Sequence, residues 1–79
     1  MKHPRIEVNR EIMFGKAVIK GTRIPVERLL RKLAAQLTHE QILEQHPRLT
    51  LEDIYAAEAY AADIVGNEEI ILAGERADP

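Results

Sequence analysis

The sequence predicts a mostly α-helical fold, in which a three-helix unit follows a short N-terminal β-ribbon or arm. Three observations predict it: apolar residues at helical 3-4 spacing after residue 25, two capping-box patterns that begin later helices, and short apolar stretches before residue 20. Helices of this length joined by short turns are typical of a three-helix bundle that contains a helix-turn-helix, here with its turn at residues 46–50.

The N-terminal region is predicted to form short strands. Residues 5–8 alternate polar and apolar side chains, and the stretches 12–14 and 17–19 flank Gly15-Lys16, a plausible two-residue hairpin turn. Pro25 favours an extended residue before it and fits the first turn of a helix. The arm and turn are therefore expected over residues 4–24.

The first helix is predicted from Pro25 to Gln36, with an apolar stripe on one side and basic residues on another. A second helix follows Thr38, whose capping-box partner is Gln41, and ends at Pro47. The apolar stripe of the first helix has five members: Val26, Leu29, Leu30, Leu33 and Leu37.

The third helix is predicted to begin after Thr50, with Asp53 in the capping-box position, and to stop at Gly66-Asn67. Its expected apolar stripe consists of Leu51, Ile54, Ala57, Ala61, Ile64 and Val65. The chain is thus predicted to be a single domain over residues 1–79, with the helices in 25–66 and an acidic C-terminal tail in 67–79. For that tail a short strand and a segment that orders on a partner are both open.

Composition excludes several classes of protein. The chain has 79 residues and no Cys, Trp or Ser, which removes disulfide scaffolds, zinc-thiolate sites and cysteine or serine nucleophiles. No stretch resembles an export signal or a membrane span, so a cytoplasmic protein without a membrane partner is expected. We expect no cofactor and no enzymatic activity.

Charge is divided unevenly along the chain. The net charge is −2, but residues 1–36 sum to +6 and residues 37–79 to −8. A basic half and an acidic half indicate a protein that offers one surface to a polyanion and another to a basic partner, although mutual neutralisation within a dimer explains the same sums. The third helix lacks Arg, Lys, Asn and Gln between Leu51 and Val65. It is therefore poorly suited to recognise bases in the major groove of DNA. The expected DNA-binding residues are therefore Lys16, Lys20, Arg23, Arg28, Arg31, Lys32 and Arg48.

The remaining histidines, glutamates and tyrosines are explained by structural roles, without a metal or catalytic site. His39 and His46 lie seven residues apart with no third ligand at metal-binding spacing, so we expect two partly buried helix residues and no metal site. Glu40 and Glu44 are expected on a solvated face. Tyr55 and the tyrosine at position 60 are expected to pack in half-buried positions.

Two ordered blocks carry a resemblance to a known family. Gly15–Val26 (GKAVIKGTRIPV) and Glu40–Ile54 (EQILEQHPRLTLEDI), continued by Ala56, Ala57 and Tyr60-Ala61, resemble the domain of unknown function 433 family over about residues 4–65. Two positions depart from the family pattern: Ala17, where the family often has Pro, and Gln36, where it often has Gly.

The resemblance implies a helix-turn-helix-like α fold with a small β element, and a role as a VapB-type antitoxin paired with a small PIN-like ribonuclease toxin. It supplies no catalytic residues. In this hypothesis a homodimer binds DNA through its basic half, while the acidic tail binds the basic toxin. A DNA-binding regulator without a toxin and a dimeric protein-interaction module are the alternatives. The expected toxin-binding residues are Glu68, Glu69, Ile70, Ile71 and Leu72.

Overall fold

The protein consists of a two-stranded antiparallel sheet followed by three helices. A computed structural model describes the backbone of residues 2–76 and the side chains of residues 2–12 and 14–67. The predicted fold class is confirmed at this level: a mostly helical chain with a small N-terminal β element. The elements in chain order are β1 (Ile6–Val8), β2 (Ala17–Ile19), α1 (Val26–Ala34), α2 (His39–Gln45) and α3 (Leu51–Arg76).

The hairpin differs from the predicted one. β1 pairs with β2 in a register that places Ile6 opposite Ile19, and residues 9–16 connect the two strands. The predicted strand at residues 12–14, with its two-residue turn, is wrong because Met13–Gly15 form a 3₁₀ helix. Phe14 (φ 57°) and Gly15 (φ 85°) have left-handed backbones, which an extended strand cannot contain.

A single small core joins the sheet to all three helices. The predicted stripe of α1 is confirmed: Val26 and Leu29 are buried, and its other three leucines are partly buried against the same cluster. From α3, Ile54 and Ala57 are fully buried. The buried cluster comprises Ile6, Ile19, Val26, Leu29, Ile42, Leu49, Ile54 and Ala57.

Both predicted capping boxes are present. At the start of α2, the Thr38 hydroxyl accepts from the Gln41 N–H (3.0 Å), and the Gln41 side chain accepts from the Thr38 N–H (2.8 Å). At the start of α3, the Asp53 carboxylate accepts from the Thr50 N–H (3.0 Å) and the Thr50 hydroxyl accepts from the Asp53 N–H (3.3 Å). These reciprocal bonds satisfy N–H groups that the helix itself leaves unpaired, so they fix where α2 and α3 begin.

Ion pairs connect α3 to the segment before β1. Arg5 donates from Nη1 to Oδ1 of Asp53 at 3.0 Å, so the capping carboxylate also holds the N-terminal segment. Further along α3, Asp63 lies 2.7 Å from the His3 Nε2 and 3.4 Å from the Lys2 Nζ. The N-terminal segment therefore lies along one side of α3.

α3 extends beyond its predicted end. The predicted stop at Gly66-Asn67 is wrong, because the helix continues to Arg76; residues 77–79 of the predicted tail lie outside the described residues. One glycine within a helix costs only about 1 kcal/mol relative to alanine, which flanking helix formers can offset. Of the predicted apolar stripe, only Ile54 and Ala57 are buried; Leu51 at the start of the helix, and Ile64 and Val65 near its middle, are exposed.

α1 ends in a closed turn at a position that favours glycine. The Leu37 N–H donates to the Lys32 carbonyl (3.1 Å), and the Gln36 N–H donates to the Leu33 carbonyl (2.9 Å), the two bonds of a Schellman motif. Gln36 sits between them with φ 72°, in the left-handed region. The missing glycine thus leaves the hydrogen bonds intact and strains the backbone of Gln36.

Replacing Gln36 with glycine should therefore stabilise the fold. We expect Gln36→Gly to raise the free energy of unfolding by about 1 kcal/mol, since glycine adopts positive φ without a Cβ clash. Urea denaturation followed by circular dichroism measures the change. Ala35→Gly is the matched control, because Ala35 has φ −83° and glycine there should lower stability. Equal or lower stability for Gln36→Gly would contradict the strain assigned to this residue.

Candidate nucleic-acid and partner-binding surfaces

The exposed side of α1 and the end of α2 enclose a basic groove of about 600 Å³. Arg28 and Lys32 are four residues apart, so they share one side of α1, away from the buried Leu29. The tertiary fold adds Lys16 from the segment before β2 and Gln45 from the end of α2. The residues that line the basic groove are Lys16, Pro25, Glu27, Arg28, Arg31, Lys32, Ala35, Leu37 and Gln45.

One carboxylate, Glu27, holds two of the four cations of the basic groove. Arg31 donates from Nε to its Oε2 at 2.9 Å, and Lys16 donates from Nζ to its Oε1 at 3.2 Å. These bonds, that of Arg31 first, lower the pKa of Glu27 below its ordinary value, so the carboxylate is charged at neutral pH. Exposed ion pairs add little stability, and the consequence here is partial neutralisation of the groove.

His46 lies behind the basic groove at the end of α2. Its Nε2 is buried and has no hydrogen-bond partner among the described residues. Burial, followed by the positive charges of Lys32 and Arg28, lowers the pKa of His46. Lys32 in turn donates to the side-chain oxygen of Gln45. The neutral imidazole therefore adds no charge to the groove at neutral pH.

The structure divides the seven predicted DNA-binding residues. Lys16, Arg28, Arg31 and Lys32 meet in the basic groove. Arg23 and Arg48 instead line a second depression of about 370 Å³ beside Glu7 and Gly21. There, Arg48 donates from Nη2 to the Gly21 carbonyl oxygen at 3.2 Å. Lys20, the remaining member, is exposed in the turn after β2 and lines neither cavity.

Sequence reasoning missed the acidic and polar members of the basic groove. The four-residue spacing of Glu27 and Arg31 is the standard spacing of a helical ion pair, so that contact was detectable. Lys16 and Gln45 lie 11 and 13 residues from their partners, Glu27 and Lys32. Only tertiary folding brings such residues together, and no local pattern indicates it.

An apolar groove of about 370 Å³ lies between α1, β2 and the middle of α3. Tyr60, which forms part of its wall, also contacts the edge of the His3 ring in a T-shaped arrangement, with centroids 5.4 Å apart. The groove is bordered by Lys16 and Glu27, which also line the basic groove. Its apolar lining consists of Ala17, Val26, Leu30, Tyr60, Ala61, Ile64 and Val65.

The predicted toxin-binding residues, Glu68 to Leu72, lie in the last part of α3, and their side chains are outside the described set. Within the described side chains of α3, Tyr60 is the last one that packs against the core. The 16 helical residues from 61 to 76 span about 24 Å at the usual rise of an α-helix. The backbone therefore carries the acidic residues away from the core as a helix, neither a strand nor a loop.

The two helix histidines are not brought together with acidic residues. His39 contacts the edge of Tyr55, with ring centroids 5.6 Å apart, which accounts for both side chains by packing. In the part of the chain that the structure describes, no three His, Asp or Glu residues cluster as metal ligands. Among the same residues, no helix combines the length and apolarity needed to cross a membrane.

The fold and these surfaces define a small, mostly helical domain with a basic groove, an apolar groove and an acidic long helix. Residues 6–61 match the family described as Protein of unknown function (DUF433), and the chain belongs to this family. A crystal structure of a DUF433 member from Anabaena variabilis superposes with a TM-score of 0.74 at 29% identity, covering 87% of this chain and 68% of that one. No curated protein matches the sequence significantly.

The depressed pKa of His46 predicts a loss of stability in mild acid. Because the unfolded chain takes up the proton more readily, stability is complete above pH 6.5 and falls as the pH drops through the lower folded pKa. An NMR titration of the imidazole gives the folded pKa, and denaturation at several pH values gives the stability. Lys32→Ala should raise the folded pKa only in part, since burial is the larger cause. A folded pKa at or above 6.5 would contradict this account.

Proposed function

We propose that this protein is the antitoxin of a type II toxin–antitoxin pair. It binds operator DNA through the basic groove, and it neutralises a small basic PIN-like ribonuclease with the C-terminal part of α3. The observation that carries the proposal is the separation of opposite charges: cations collect on α1, whereas α3 contains seven acidic residues and one basic residue over Leu51–Arg76. Each surface is complementary to one of the two partners.

The basic groove supports the DNA-binding half of the proposal. Four cations border a cavity large enough for a phosphate backbone, and exposed cations of this kind bind DNA by displacing counterions. In this proposal α2 and α3 form a helix-turn-helix-like pair around residues 46–50, but α3 does not enter the major groove of DNA to contact bases. Its first turn carries Glu52 and Asp53, which would repel phosphates.

The C-terminal part of α3 supports the toxin-binding half. Among the side chains that the structure describes, none beyond Tyr60 on α3 belongs to the core cluster, and in this proposal residues 67–76 contact the toxin. Their sequence combines Glu68 and Glu69 with the apolar run Ile70–Leu72. An acidic segment with an apolar anchor suits the nucleic-acid path of a basic ribonuclease, which must itself attract a polyanion.

Charge variants of the basic groove test DNA binding. Arg28→Ala should weaken binding to a duplex from the protein's own upstream region and reduce the slope of log K against log salt by about 0.9. Glu27→Gln should strengthen binding severalfold at low salt, since it releases Lys16 and Arg31. Fluorescence anisotropy at several salt concentrations measures both effects.

Glu40→Gln is the matched control for Glu27→Gln, because it removes one exposed negative charge on α2 that does not line the basic groove and should change affinity much less. Equal gains from both glutamine variants would show that net charge alone matters. If neither Arg28→Ala nor Glu27→Gln changes the DNA affinity or its salt dependence, the DNA site does not lie in the basic groove.

Truncation tests toxin neutralisation. The full chain, co-expressed with a PIN-like ribonuclease encoded beside its gene, should restore growth that the ribonuclease alone arrests. A variant ending at Gly66 should fail to do so, because it lacks the acidic segment, while keeping its DNA affinity and losing only the helical circular dichroism of the ten deleted residues of α3. Full rescue by the truncated variant would exclude the tail as the toxin-binding segment, and no rescue by the full chain would exclude the antitoxin function.

A DNA-binding regulator without a toxin is the second candidate, and the basic groove favours it equally. It predicts the same salt-dependent DNA binding but no rescue by the full chain. A protein-interaction module without nucleic acid predicts no DNA binding even at low salt. The two experiments together separate these three functions.

A further inference from the structure

Three elements contribute to the apolar groove, and none of the residues that the structure describes covers it. Ile64 and Val65 on α3 are 50% and 51% exposed, and they continue directly from the buried part of the helix. Across the groove lie Ala17 of β2 and Leu30 of α1. Contiguous apolar surface of this kind, formed by several elements, is typical of a surface that another protein chain covers.

Charge identifies the kind of chain that fits. The edge of the apolar groove next to α1 carries Lys16 and Glu27, and Arg31 pairs with Glu27 beyond it, so these three groups together leave one positive charge. A basic partner would be repelled there, whereas a helix with apolar residues on one side and acidic residues beside them would be attracted. The toxin of the proposed function is basic and does not meet this requirement.

The chain's own α3 has the required chemistry. Between residues 58 and 69 it contains no Lys or Arg and four acidic residues, Glu58, Glu68, Glu69 and Asp63, of which Asp63 is paired with His3 and Lys2 of its own chain. The exposed pair Ile64 and Val65 lies among them. These two apolar residues lie at the middle of the 26-residue helix. Two copies of α3 that cross at this point would therefore present the same surface to each other, as a two-fold symmetric interface requires.

We propose that the apolar groove binds α3 of a second copy of this chain, in a two-fold symmetric dimer. Ile64 and Val65 of each copy cover Ala17 and Leu30 of the other, and the acidic residues of each α3 lie beside the basic edge of its partner. The proposal does not depend on the antitoxin function, because a regulator or an adaptor would dimerise through the same surface.

Light scattering with size exclusion measures the assembly. The full-length protein should have twice its 9.0 kDa chain mass at micromolar concentration. Ile64→Glu should give the chain mass with unchanged circular dichroism, and Ile64→Ala should raise the dimer dissociation constant about tenfold, as for an apolar residue central to an interface. Tyr55→Glu is the control, because Tyr55 is equally exposed (52%) and lies nine residues away, on the opposite side of α3.

Three results would overturn the proposal: a wild-type protein that is monomeric at roughly 200 µM, a dimer that persists in both Ile64 variants, or a dimer that Tyr55→Glu dissociates as strongly as Ile64→Glu does. The concentration of 200 µM is taken as roughly the upper limit for a weak but specific dimer. Because Ile64→Ala only truncates a half-exposed side chain, the test stands even if Ile64→Glu fails to fold. The ribonuclease rescue remains a separate measurement, so failure here leaves the antitoxin proposal intact.

Cysteine cross-linking tests the arrangement. The chain contains no cysteine, so Ile64→Cys and Ala17→Cys each introduce one thiol. When the two purified variants are mixed and oxidised, a disulfide-linked heterodimer should form. A mixture of Tyr55→Cys with Ala17→Cys should not form one. Equal cross-linking in both mixtures, or in neither, would contradict the proposed interface.

Discussion

The structure depends on one small hydrophobic core that must hold a sheet and three helices together. Leu29, Ile42 and Ile54 are fully buried within it, one from each helix, and Ile19 joins them from β2. In a chain of 79 residues this core has room for only the first turns of a 26-residue helix. The rest of α3 therefore carries its apolar and acidic residues beyond the core, and both the apolar groove and the acidic segment result from that limit.

The same core also determines where the cations of the basic groove lie. Burial of Val26 and Leu29 turns the opposite side of α1 to solvent, so Arg28 and Lys32 are exposed by the geometry of the helix. Hairpin pairing then brings Lys16 to this side, where Glu27 binds it together with Arg31. The carboxylate lies between these two cations and accepts hydrogen bonds from both, so the groove is neutralised in part.

Membership of the DUF433 family and the likeness to the Anabaena variabilis structure account for the fold, since the match spans the sheet and the helices through residue 61. Residues 67–76, which the partner-binding hypothesis depends on, lie after the residues that the family model matches. The acidic composition and helical backbone of this segment are the physical basis on which binding of a basic partner is proposed.

The sequence by itself determined the features that depend on neighbours within a few residues. Thr38 with Gln41 and Thr50 with Asp53 located both helix starts, since a capping box is a contact over three residues, and the 3-4 spacing in α1 identified its buried side. Two predictions from local patterns were wrong. The apolar residues 12–14 do not form a strand, since the backbone of Phe14 has a positive φ, and Gly66-Asn67 does not end α3.

Only the tertiary structure decided the rest. It brought Lys16 to Glu27 and Gln45 to Lys32, and it placed Arg23 and Arg48 in a depression separate from the basic groove. It also left Ile64 exposed, although its spacing matches that of the buried Ile54. The physical reason is that periodicity assigns a residue to one side of a helix, whereas the extent of the core determines which part of that side is covered.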